Sequence, residues 1–217
     1  MRPVPSHRGP AVPLSRLRCH RIADPPSHHP ASGAIASRTR QNEDLPEQER
    51  YVDCDITAAM SRPPRIKGFG YLGAYRYFIT FCTLDRTCVF TDIRLGQSVM
   101  WQFRRTCREK KFAILAYCVM PDHSHLLLEG TDAASNLPAL IKSAKQSSGQ
   151  RFAARMGRPL WEEGFHDHVL RPEEDPKRFA RYIIENPVRA GLVKSPLDYP
   201  LSGSDRWTMQ ELLDSLW

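Results

Sequence analysis

The stretch FAILAYCVMPDHSHLLLEG, residues 112–130, decides the architecture of this chain. Its first nine residues are apolar without a break, which suits a strand buried on both faces. Pro121-Asp122 follows, a pair that favours a tight turn. The chain then resumes as HSHLLLE, a second apolar strand returning antiparallel to the first. Side chains at i and i+2 of a strand share a face. His123 and His125 therefore project together, while Ser124, Leu126 and Leu128 point to the opposite side.

Working outward, YRYFITFCTL (75–84) is aromatic and β-branched and reads as another strand. Between it and the hairpin, Ile93, Val99, Met100, Phe103 and Cys107 approximate a 3.6-residue stripe, predicting a helix from about Asp92 to Lys110. After the hairpin, Asn136 is placed to cap a helix with Pro138 in its first turn. That helix is expected to run to about Met156, with Leu140, Ile141, Ala144 and Phe152 inward and Lys142, Lys145 and Arg151 outward; Gly157-Arg158-Pro159 ends it. A short strand is expected around His166–Leu170. Asp175-Pro176 opens a last helix, predicted to reach Asn186 and to stop before Pro187, because proline biases its predecessor away from helical geometry. The order β-α-β-β-α-β-α predicts an α+β fold: a ferredoxin-like antiparallel sheet with helices on one face, plus an added C-terminal helix.

The 217 residues carry a formal charge of +7, which fits an acidic partner such as nucleic acid without demanding one. Residues 1–60 are rich in Pro, Arg, Ser and His and lack apolar periodicity, so they read as a disordered basic extension. Three readings of it stay open: an arm that tethers DNA, a solvated tail, or a stretch preceding a true start at Met60. The globular domain is expected over residues 61–203, with 204–217 as a C-terminal tail. Six cysteines, none in a CxxC pair, read as small buried thiols in a reduced compartment. No apolar run approaches the ~20 residues of a membrane span, and no apolar signal core opens the chain. The expected location is cytoplasmic and nucleoid-associated.

Two neutral imidazoles one strand-step apart can bind a divalent ion and leave positions for substrate and water. The pattern is weak by itself, since His166-Asp167-His168 repeats it. On the last helix, Tyr182 and Asn186 lie one turn apart. A phenol with an ordinary pKa near 10 is a poor nucleophile without a metal-polarised phosphate or a nearby cation, and Arg178 and Arg181 could supply such charge. Read alone, the same residues also fit an internally bonded histidine pair and a core-edge tyrosine with a wet hydroxyl.

Four linked segments narrow this. YFITFCT, AYCVMPDHSHLLL, LW-x-x-GFHDHVLR and YIIENPVRAGLV followed by DYPLSG together resemble the REP-associated tyrosine transposases, members of the single-tyrosine branch of the HUH (His–hydrophobic–His) endonucleases. The resemblance covers about Arg76 to Ser202. It implies that His123 and His125 bind Mg²⁺ or Mn²⁺ and that Tyr182 is the catalytic nucleophile, forming a 5′-phosphotyrosine. It also implies Asn186 as third metal ligand, making the last helix the catalytic one. The implied partners are single-stranded DNA and DNA hairpins of inverted repeats, with no membrane; monomer or homodimer stays open. Ser124 departs from the motif's hydrophobic middle position, which affects packing more than chemistry because it faces away from the histidines. His166 and His168 then read as structural or DNA-contacting rather than as a second metal pair. Lys142, Lys145, Arg151 and Arg155 either track a DNA backbone or form an ordinary solvated face. Two rivals remain: a non-catalytic DNA- or RNA-binding regulator derived from a transposase, and a metallohydrolase that does not need Tyr182.

Overall fold

The structure, a computed structural model, describes residues 68–214. The expectations for residues 1–60, the start at Met60 among them, lie outside the described residues. In chain order the elements are β1 (Arg76–Cys82), α1 (Ile93–Glu109), β2 (Phe112–Met120), β3 (His123–Gly130), α2 (Leu137–Met156), β4 (His166–Val169), α3 (Pro176–Arg189), β5 (Ser202–Gly203) and α4 (Met209–Asp214).

Local chemistry explains the helix starts. The side chain of Asp92 accepts from the amides of Arg94 and Leu95, that of Asn136 from Ala139, and that of Asp175 from Lys177. Each satisfies amides that the first turn leaves without partners. Gly157, with φ of 67°, takes the left-handed conformation that closes α2.

The sheet order is β4-β1-β3-β2-β5, with every neighbouring pair antiparallel. Its two faces are chemically distinct. One carries Tyr77, Ile79 and Phe81 of β1 opposite Leu128, Leu126 and Ser124 of β3. There Phe81 meets Phe103 of α1 at a ring separation of 5.2 Å and Trp161 at 5.8 Å. Trp161 in turn donates to Ser148 of α2. Helices α1 and α2 therefore cover this face. The other face carries Phe78, Thr80 and Cys82 opposite Leu127, His125 and His123, and α3 covers it, packing on β2 and β3.

Four features depart from the sequence reading. Helix α3 does not stop at Asn186 but continues through Pro187 to Arg189. Pro187 is buried and sits in the last turn, so the helix forfeits one ladder bond there while retaining its packing. A fifth strand, β5, pairs Ser202 with Cys118 and Gly203 with Tyr117. Beyond it, the segment read as a tail forms α4 and buries Leu212 completely. Finally, Cys107 and Cys118 are buried thiols and Cys82 a half-buried one, but Cys88 is disulfide-bonded.

Strand β2 hides a bulge: Ile114 pairs with Leu128, yet Ala116 pairs with Leu127. The extra residue, Leu115, shifts the alternation by one. Cys118 and Met120 consequently line up with His125 and His123.

Candidate active site

Across the middle of the covered face runs one row of cross-strand partners: His166, Thr80, His125, Cys118 and Ser202. The neighbouring row places Cys82, His123 and Met120 side by side. Strand alternation puts both histidines on one side, and the ring of His123 meets that of His125 at 4.7 Å, nearly perpendicular. Their Nε2 atoms are 3.1 Å apart.

The outer nitrogens are each engaged. His123 Nδ1 lies 2.6 Å from Asp122 Oδ1, and Asp122 Oδ2 lies 3.0 Å from Arg86 Nε. His125 Nδ1 lies 2.8 Å from Thr80 Oγ1. The turn itself is held from the loop after β1: the Thr83 amide and hydroxyl both donate to the Asp122 carbonyl, and the Phe90 amide donates to that of Pro121. That loop bends through Asp85 and Arg86, both at positive φ near 50°, a conformation that non-glycine residues adopt rarely and that clusters at functional sites.

Burial sets the electrostatics. It pushes the His125 imidazole well below its ordinary pKa, reinforced by the positive charge of neighbouring His123, Arg189 and Arg86. For Asp122 burial opposes ionisation, but the His123 hydrogen bond and the charges of His123 and Arg86 outweigh it and hold the carboxyl below its ordinary value.

Tyr182 approaches from α3. Its ring stands edge-on to Phe78 at 6.0 Å and 6.5 Å from that of His125. Phe179, one turn earlier, packs on Phe78 and stacks on His168. The Arg189 guanidinium carbon sits 4.0 Å from the Tyr182 ring centroid, and its Nη2 donates to the Tyr182 carbonyl at 2.6 Å. Asn186 Nδ2 donates to the same carbonyl at 3.3 Å, which leaves its metal-competent atom to be Oδ1.

The donor set suits a divalent cation. Two imidazole nitrogens 3.1 Å apart have the separation of adjacent positions around one ion at bond lengths of about 2.1 Å. Each ring's second nitrogen is tied to a polar partner, the usual way a protein aims an imidazole. Among the described residues no group of three or more His, Cys, Asp or Glu converges on such a site. Among the described residues, a further donor to the pair would be of another type.

The other residues singled out in the sequence are dispersed. Arg181 is paired with Glu185 at 2.6 Å, and Arg178 is half-buried at the start of α3. His166 shares the histidine face, next to Thr80. His168 does too, but its Nε2 contacts the Glu174 carboxylate at 3.0 and 3.1 Å. Lys142, Arg151 and Arg155 are exposed on α2, across the sheet from the histidines. Lys145 is turned inward, correcting its reading as an outward residue: it donates to the carbonyls of Glu162 and Gly164 and lies over the Phe81 ring. Sequence reasoning missed Thr80, Asp122, Arg86 and Arg189. Two of these carried a signal, Thr80 as the lone hydroxyl on its face of an aromatic strand and Arg189 two helical turns beyond Tyr182.

Residues 72–184, which include both histidines and Tyr182 but end before Asn186, match the family model described as "Transposase IS200 like". A protein of Haemophilus influenzae assigned to the REP-associated tyrosine transposases is 27% identical over 153 residues, 65% of this chain and 86% of that protein. A REP-associated tyrosine transposase of Escherichia coli K12 is 32% identical over 114 residues, 51% of this chain and 65% of that protein. The fold is like that of a REP-associated tyrosine transposase solved bound to a REP hairpin, with a TM-score of 0.56 and 23% identity over 73% of this chain and 88% of the other. With more than half of its length matched by the family model, the chain belongs to the IS200-like transposases.

Proposed function

We propose that this transposase is a metal-dependent, single-strand-specific DNA endonuclease and strand transferase acting beside hairpins of inverted repeats. The observation that carries this reading is convergence: two imidazole Nε2 atoms 3.1 Å apart and the ring of Tyr182 lie on one face of the sheet. The hairpin substrate is proposed from the relatives, one of which was solved on such a DNA. No helix among the described residues is long and apolar enough to cross a membrane.

In this reading His123 and His125, with the Asn186 amide oxygen as third donor, hold Mg²⁺ or Mn²⁺. The ion supplies Lewis-acid polarisation of a phosphate oxygen. Tyr182 attacks the scissile phosphorus: a bond forms between its oxygen and phosphorus, the bond to the 3′ oxygen breaks, and the phenolic proton is balanced by one taken up on that leaving oxygen. The products are a 5′-phosphotyrosine and a free 3′-OH, and a second 3′-OH can reverse the step and rejoin strands. Arg189 and Phe78 both contact the phenol's ring, which restricts its orientation so that its oxygen is presented rather than searched for.

The test uses labelled single-stranded oligonucleotides carrying hairpins of the source genome's repeats, incubated with Mn²⁺ or with EDTA and resolved on a denaturing protein gel. Label is expected on the protein only with metal. Tyr182→Phe is expected to abolish the adduct and to change hairpin affinity less than about threefold. An undiminished adduct in that variant removes Tyr182 as nucleophile. Binding without adduct across repeats and metals favours the non-catalytic regulator instead.

A further inference from the structure

Four groups form one continuous hydrogen-bonded line through the site, Asp122 to His123 at 2.6 Å, His123 to His125 at 3.1 Å and His125 to Thr80 at 2.8 Å, and Arg86 is ion-paired to Asp122 at 3.0 Å. Its two ends are chemically unlike. An ionised carboxylate can only accept a hydrogen bond, whereas a threonine hydroxyl can donate or accept.

With both imidazoles neutral, that difference assigns every proton. Asp122, ion-paired with Arg86 at 3.0 Å, acts as a carboxylate acceptor, which requires the hydrogen of His123 on Nδ1, so His123 Nε2 bears a lone pair. The 3.1 Å contact between the rings then requires the hydrogen of His125 on Nε2, donating to His123. His125 Nδ1 is left as an acceptor, and Thr80 donates to it. A cation between the rings needs lone pairs on both Nε2 atoms. His123 already presents one; His125 does not.

We propose that Thr80 is a positioning residue that lets His125 change tautomer as the metal enters. The hydrogen on His125 Nε2 is lost and one is gained on Nδ1, so the ring stays neutral and no net proton is released. The Thr80 hydroxyl rotates from donor to acceptor and satisfies the new N–H. Asp122, backed by Arg86, does the opposite for His123, locking one tautomer throughout. Burial makes the hydroxyl matter: Thr80 and His125 are each only 3% exposed, so water does not replace the bond, and an unpaired N–H in such a place opposes metal binding. Nothing else in the row can substitute, because the partner of His125 on its other side is Cys118 of β2, whose thiol is directed to Met120.

This inference rests on the reading of the histidine pair as a metal site, and the experiment separates the two. The full-length protein is studied at pH 8, above the ordinary imidazole pKa of about 6.5. Imidazole nitrogen NMR shifts of the wild type are recorded without metal and with Zn²⁺ as a diamagnetic probe. Mn²⁺ affinity is measured by electron paramagnetic resonance for the wild type, Thr80→Val and Thr80→Ser. Without metal, His123 is expected as the Nδ1–H form and His125 as the Nε2–H form; Zn²⁺ should convert His125 to Nδ1–H and leave His123 unchanged. Thr80→Val, nearly the same shape, is expected to weaken Mn²⁺ binding about 10- to 100-fold, as loss of an imidazole's supporting partner typically does. Thr80→Ser should stay within about threefold of wild type. Metal binding by Thr80→Val equal to wild type, or His125 already Nδ1–H before metal, overturns the proposal. Should Thr80→Val not fold, the wild-type nitrogen shifts decide the matter alone. A wild type that binds neither ion removes the metal-site reading, while its metal-free tautomers still test the hydrogen-bond assignment.

Discussion

His125 illustrates how one buried side chain couples chemistry to stability. Its folded pKa lies well below the ordinary value because burial and nearby positive charge disfavour the imidazolium. In the unfolded chain it binds a proton near pH 6.5, so below that pH the unfolded state holds more protons than the folded one. Stability must therefore fall as the pH drops below about 6.5. Thermal unfolding between pH 5 and 7.5 is expected to show a smaller pH dependence in His125→Gln; equal slopes would refute the assignment. Arg189 makes a second residue-scale prediction. A guanidinium 4.0 Å from an aromatic centroid contributes about 0.5–2 kcal/mol. Arg189→Ala should slow adduct formation by roughly 3- to 30-fold while changing hairpin affinity less. Arg189→Lys, which retains charge but not the planar fork, should recover part of the rate. A binding defect as large as the rate defect would instead make Arg189 a simple phosphate contact.

At the scale of elements, strand ends and helix caps determine how well the site is held. Gly130 closes β3, and a Cβ there would stand 2.2 Å from the Gly73 carbonyl oxygen. Gly130→Ala must force the two backbones apart and should destabilise by about 1–3 kcal/mol, read as an earlier denaturation midpoint. A midpoint unchanged from wild type would mean the segment around Gly73 yields freely. The cap on α3 acts more gently. Asp175→Ala removes the acceptor for the Lys177 amide and is expected to lower stability by about 1 kcal/mol. Because Tyr182 lies two turns away and is held by Phe78 and Arg189, the adduct rate per folded molecule should remain near wild type.

Over the whole molecule, the sheet divides chemistry from support. The histidines and Tyr182 occupy the face under α3; α1 and α2 pack on the other, together with Trp161 and the inward ammonium of Lys145. Helical spacing groups Lys145 with Lys142, Arg151 and Arg155 on a basic face, but it straps the 162–164 segment to α2. Lys145→Met leaves two carbonyls without their donor and should cost about 1–3 kcal/mol of stability. The salt dependence of hairpin binding should not change, since a residue that contacts no phosphate releases no counterion. A shallower salt slope in that variant would return Lys145 to the nucleic-acid surface.

By itself the sequence determined the elements from β1 to α3 and their order, because apolar periodicity, caps and turns act within a few residues: β1, the 112–130 hairpin and the starts of all three long helices lie where their patterns place them. It also determined that His123 and His125 share a face, which follows from strand alternation alone. Only the tertiary structure decided which side chains meet those imidazoles. Thr80 reaches His125 through a cross-strand register, Arg86 reaches Asp122 through a loop at positive φ, and Cys118 comes into line through a bulge that a continuous apolar run conceals. Pro187 inside α3 and Leu212 under α4 belong to the same class. Long-range packing outweighs local preference at those positions, and a rule that looks only at sequence neighbours has no access to it.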